Sequence, residues 1–136
     1  MKIEPYLFFN GRCEEAIDFY KTALGAETTM LMRVSESPEP EMPARLPPGS
    51  GKKIMHASLR IGDTSLMMSD GMCSGQLNFQ GITLSLGVSD EAQAQKCFAA
   101  LSQGGTVNMP LAKTFYSPQF GMVTDRFGVS WMVIAP

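Results

Sequence analysis

The chain has one histidine, one tryptophan and three cysteines in 136 residues, and charged side chains make up only 18% of it. A single imidazole argues against a multi-histidine metal centre, and without a fixed acid partner it argues against a Ser-His-Asp triad. Cys13, Cys73 and Cys97 are odd in number and irregularly spaced, so they fit reduced thiols better than a disulfide frame or a zinc site. A net charge of −2 leaves no basic footprint for nucleic acid. No apolar run approaches the ~18 residues of a membrane span. Met1-Lys2-Ile3-Glu4-Pro5 lacks a secretory apolar segment, and the expected setting is cytoplasmic. No G-x-S-x-G elbow is present, and Gly104-Gly105 leads into a strand, where it cannot cradle phosphate.

Ordinary globular material remains, with 44% hydrophobic residues. Residues 3–9 (I-E-P-Y-L-F-F) read as a strand. From Cys13 the apolar positions Ala16, Ile17, Tyr20, Ala23 and Leu24 recur at helical steps until Gly25. A strand over 27–34 follows. Residues 35–51 hold five prolines and no periodicity, which predicts a lid or an unordered connection. Residues 53–60 and 64–70 form a hairpin around Gly62. Residues 81–88 alternate as a strand. Ser89 is the expected N-cap of a second helix with Ala94, Cys97, Phe98 and Leu101 on its buried stripe. Strands over 106–113, 120–124 and 130–134 complete the chain.

The predicted fold is α+β, with two β-α-β-β-β modules (1–70 and 80–136) joined by residues 71–79 into a curved mixed sheet. The strand–helix openings lie about 78 positions apart, which sets Pro5 opposite Thr83. The order resembles the vicinal oxygen chelate superfamily of glyoxalase, bleomycin-resistance and extradiol dioxygenase proteins. N-G-x-x-x-E-A-I-D-F-Y-K-x-x-L-G-A-E (10–27) is similar to its opening signature. H-A-S-L-R-I-G-D (56–63), L-M-M-S-D (66–70) and G-M-V-T-D-R-F-G-V-S-W-M (121–132) resemble the PhnB-like, demethylubiquinone methyltransferase-like branch. No Gly-rich strand–helix turn accompanies that label to hold S-adenosylmethionine.

The resemblance implies a homodimer and a four-ligand metal position. Carried over by motif, that position falls on Pro5, Leu66 or Met68, Thr83 and Met132. Proline and leucine offer no donor, and a thioether suits hard ions poorly, so neither metal nor cofactor is expected. Alternation from these positions assigns Leu7, Phe9, Met68, Thr83, Ser85 and Met132 to a groove, with Tyr6 and Phe8 turned to the helices. Phe115 and Tyr116 either wall its mouth or pack a turn. His56 either packs in the sheet or serves the groove, with Asp70 as its acid–base partner. The reading that follows is a metal-free small-molecule binder. The alternatives are an enzyme on a small apolar or aromatic substrate using His56 and Asp70, and an interaction protein whose groove is filled.

Overall fold

Alternating apolar residues on the inner strands put one face of each sheet against a helix. In a computed structural model, described for residues 1–38 and 46–136, the chain divides into two units, Met1–Leu77 and Asn78–Pro136. Much of the predicted 35–51 connection lies outside the described residues. Its described ends carry short 3₁₀ turns, Val34–Glu36 and Ser50–Lys52.

The first unit contains β1 (Tyr6–Phe8), α1 (Cys13–Leu24), β2 (Glu27–Arg33), β3 (Ile54–Ile61) and β4 (Thr64–Ser69). Its sheet runs β1-β4-β3-β2, with β1 parallel to β4 and the other pairs antiparallel. The second unit repeats the plan with β5 (Thr83–Gly87), α2 (the helix Glu91–Ser102), β6 (Thr106–Ala112), β7 (Gln119–Thr124) and β8 (Ser130–Ala135). Its sheet runs β5-β8-β7-β6, with β5 parallel to β8.

Helix α1 buries Cys13, Ala16, Ile17, Tyr20 and Ala23 of the predicted stripe and leaves Leu24 half-buried. It ends at Gly25, whose φ of 66° is left-handed; the Gly25 and Ala26 amides then reach back to the carbonyls of Lys21 and Tyr20. Against it lie Leu7, Phe9, Ala57, Leu59, Leu66 and Met68, all buried, with the rings of Phe9 and Tyr20 6.2 Å apart. Each large side chain in such a core contributes about 1.5–3 kcal/mol.

Helix α2 buries Ala94, Cys97, Phe98 and Leu101 and packs on β7 and β8, where Val123, Trp131 and Val133 are buried. Its N-cap is Asp90 rather than the predicted Ser89. The Asp90 carboxylate accepts from the Gln93 amide at 2.8 Å, and the Gln93 side chain accepts from the Ser89 amide and hydroxyl at 2.9 Å each. Serine thus braces the cap while the stronger acceptor makes it. The β7–β8 turn is fixed by Asp125, buried, which accepts from the Phe127 and Val129 amides and the Trp131 indole.

Candidate functional site

Helix α1 starts without a cap of its own, because Arg12 stands at its N-cap and offers no side-chain acceptor there. The acceptor comes from the end of β4. Asp70 Oδ1 takes the amides of Gly11 and Cys13 at 2.8 Å each, and Oδ2 takes that of Ile54 at 2.7 Å. Only 1% of Asp70 is exposed. This corrects the pairing of Asp70 with His56. The carboxylate is committed to three backbone amides, whereas His56 turns to Tyr6 and Ser58.

The face assignment of β1 is also corrected. Leu7 and Phe9 are buried on the helix side, and so is Met68, the ladder partner of Leu7. Tyr6 and Phe8 carry the open face, 37% and 53% exposed. The cause is one residue of connection: four residues (9–12) join β1 to α1, and three (88–90) join β5 to α2. Helices aligned at a spacing of 78 therefore set their strands out of step, and a one-residue slip reverses every side chain.

Ladder partners share a face, so the open face of the first sheet reads in rows. One row is Tyr6, Met67, Ser58 and Met30, and the next contains Phe8 with Ser69, and His56 with Met32. Tyr6 reaches diagonally across β4, and its hydroxyl meets His56 Nδ1 at 3.1 Å. Two strand spacings, about 10 Å, separate their backbones. Ser58 Oγ lies 3.5 Å from Nε2, the long end of hydrogen-bonding range. The Tyr6 ring stands 5.1 Å from Phe8 and 5.5 Å from His56 between centroids. A polar dyad thus sits beside the Phe8 ring and three thioethers.

On the second sheet Thr83, Ser85 and Met132 lie on the face opposite the buried Trp131 and Val133. Thr83, Ser130, Thr124 and Thr106 form a hydroxyl row, with Thr83 and Ser130 2.8 Å apart. Ser85, Met132, Met122 and Met109 form the next. Phe115 and Tyr116 lie in the β6–β7 connection, Phe115 fully exposed; Tyr116 stacks edge-on with Phe115 and with Phe120.

A divalent ion does not fit the donors on the strands that the resemblance implies. The open-face residues are Tyr6 and Phe8 on β1, Met67 and Ser69 on β4, Thr83 and Ser85 on β5, and Ser130 and Met132 on β8. None is an imidazole or a carboxylate. Among the described residues, no three His, Cys, Asp or Glu side chains are grouped to hold a metal. The three cysteines are free, and each thiol is pushed above its ordinary range chiefly by burial, reinforced at Cys13 and Cys73 by the Asp70 charge. Protonated thiols are poor nucleophiles. The Arg33 guanidinium grips Glu14 at 2.7 and 3.1 Å; this hydrogen bonding lowers the carboxyl's pKa and raises that of the guanidinium.

The family described as 3-demethylubiquinone-9 3-methyltransferase matches residues 1–134. Protein PA1353 from Pseudomonas aeruginosa is 42% identical with a TM-score of 0.85, over 99% of this chain and 97% of that one. Protein YjdN from Escherichia coli is 36% identical over 98% of this chain and 94% of its own length. A Bacillus cereus structure described as a putative 3-demethylubiquinone-9 3-methyltransferase, PhnB protein, is 27% identical with a TM-score of 0.80, covering both chains fully. Two more distant structures share the fold alone. They are the fosfomycin resistance protein FosX from Mesorhizobium loti (8% identity, TM-score 0.65, 98% and 90% coverage) and lactoylglutathione lyase from Agrobacterium tumefaciens (14%, 0.60, 99% and 92%). The duplicated β-α-β-β-β plan and the match along nearly the whole chain make this protein a member of the PhnB-like, 3-demethylubiquinone-9 3-methyltransferase-like family, with the vicinal oxygen chelate fold.

Proposed function

We propose that the protein binds a small, largely apolar molecule on the open face of its first sheet, without a resident metal. The carrying observation is the exposure of Tyr6 and Phe8 beside Met67, Met30 and Met32, with the Tyr6–His56 hydrogen bond as the polar element among them. Exposed apolar surface around a few fixed polar groups is the make-up of a small-molecule site. The donor chemistry above supports the metal-free part. Free cysteines support a reducing, cytoplasmic setting. Among the described residues no helix is long and apolar enough to cross a membrane.

The family's name describes methyl transfer, and the residues here do not fit a site for S-adenosylmethionine of the parallel-sheet kind. Among the described residues, each sheet has a single parallel pair, no Gly-rich strand–helix turn precedes α1 or α2, and the N-termini of these helices are occupied by Asp70 and Asp90. Binding is the reading that these residues support.

The test is a thermal-shift screen of small aromatic metabolites on the wild type and on Phe8→Asp. Hits should raise the apparent stability of the wild type, and the charge on the open face should weaken them at least about tenfold. Hits that bind Phe8→Asp equally would move the site elsewhere. Metal analysis of protein purified without chelator should find no stoichiometric ion; one ion per chain would overturn the metal-free part.

A homodimer belongs to the same proposal. Strand β2 is an edge of the first sheet with Met30 and Leu31 exposed, whereas β6, the corresponding edge of the second sheet, is blunted by Pro110. Light scattering should give twice the 14.8 kDa chain mass. Leu31→Lys should shift it towards one chain, and a wild-type mass of a single chain would remove the dimer.

A further inference from the structure

We infer that the molecule taken by the first sheet is aromatic and carries one oxygen substituent, which hydrogen-bonds the Tyr6 hydroxyl. This rests on the binding site proposed above and names its ligand class. The apolar part follows from what lines the face. Phe8 offers an exposed ring, and the thioethers of Met30, Met32 and Met67 favour aromatic partners over aliphatic ones.

The oxygen follows from the geometry at His56. A neutral imidazole has one donor and one acceptor nitrogen. With Tyr6 Oη at 3.1 Å from Nδ1 and Ser58 Oγ at 3.5 Å from Nε2, both ring nitrogens are engaged and the ring is held between two hydroxyls. His56 is therefore placed as the support, and the partly exposed phenol is the group that meets the ligand. Whichever nitrogen bears the proton, the phenol keeps unused capacity. If Nδ1 donates to Tyr6, the phenolic O–H is free to donate outward. If Tyr6 donates to Nδ1, its lone pairs are free to accept. An aromatic hydroxyl satisfies either order, and an aromatic ether or ketone satisfies the first only.

The experiment measures the affinities of naphthalene, 2-naphthol and 2-methoxynaphthalene for the intact protein, for Tyr6→Phe and for His56→Ala. The wild type should prefer 2-naphthol to naphthalene by roughly tenfold, the value of one hydrogen bond made in a partly dry site. Tyr6→Phe should abolish that preference while leaving naphthalene binding within about twofold, which also shows that the face is intact. His56→Ala should reduce the preference in part. Retention of the 2-methoxynaphthalene preference assigns the donating order, and its loss assigns the accepting one; both support the oxygen contact. Equal wild-type affinity for naphthalene and 2-naphthol, or a preference that survives Tyr6→Phe, overturns the inference and leaves the apolar site standing. Failure of all three probes to bind overturns the site and the inference together.

Discussion

Asp70→Ala is expected to cost about 3–6 kcal/mol of folding stability, because it strands three amides at once, two of them buried and one part-buried, at roughly 1–3 kcal/mol each. Gly11 and Cys13 would lose the acceptor that starts α1, and Ile54 the one that fixes the start of β3. That is a large share of the 5–15 kcal/mol by which most domains are stable. The melting temperature should fall by roughly 10–25 °C, read by circular dichroism. Asp70→Asn separates this employment from an acid–base one. The amide oxygen can still serve Gly11 and Cys13, but the amide nitrogen then faces the Ile54 amide, donor against donor, so about half of the loss should remain. A melting temperature unchanged in Asp70→Asn would contradict the capping role and return the carboxylate to chemistry.

The same residue shows where the sequence stops being readable. The helical stripe from Cys13 to Ala23 is local and is legible from spacing alone. The partner of its N-terminus lies more than fifty residues away, and no local pattern names it. A signal was nevertheless present. An amphipathic helix introduced by Arg12, with no Ser, Thr or Asp at the cap, must find its acceptor elsewhere, and an Asp at a strand end that pairs beside it is a natural source.

The faces of the sheets divide in the same way. In β5, T-L-S-L-G alternates polar with apolar, and Thr83 and Ser85 could be assigned to the open face. In β1, Y-L-F lies within a run from Pro5 to Phe9 that contains no charged residue, and nothing in the composition marks which side meets the helix. A position carried over by motif to Pro5 is out of step with the second module. The ladders place Tyr6 beside Met67 as they place Thr83 beside Ser130, a spacing of 77 instead of 78. That single step exchanged Leu7 and Phe9 for Tyr6 and Phe8. The strand β1 is therefore legible in the sequence, and the face it opens is not. His56 stands out by its rarity, but its partners depend on the register of three strands and are not legible locally.

Gly105→Ala should be almost as damaging as loss of Asp70, through shape instead of hydrogen bonding. A Cβ at this position would lie 2.2 Å from the Thr124 carbonyl oxygen and 3.0 Å from the Asp125 backbone. Both obstacles are main chain, so no rotamer change relieves the collision; the β6 and β7 backbones must separate where Thr106 pairs with Thr124. That junction also carries Asp125, whose buried bonds to the Phe127 and Val129 amides and the Trp131 indole hold the β7–β8 turn. Displacing it spreads the cost into the core under α2, and a loss of about 2–4 kcal/mol is expected. Gly87→Ala is the control. Nothing lies within 4 Å of a Cβ there, and its φ is not left-handed, so alanine should be neutral or stabilise by up to about 1 kcal/mol through the unfolded chain. Chemical denaturation of the two variants beside the wild type reads both outcomes. Equal midpoints would show that the β6–β7 approach at Gly105 is loose enough to admit a methyl group, and would loosen with it the register that lines up the hydroxyl row of Thr83, Ser130, Thr124 and Thr106.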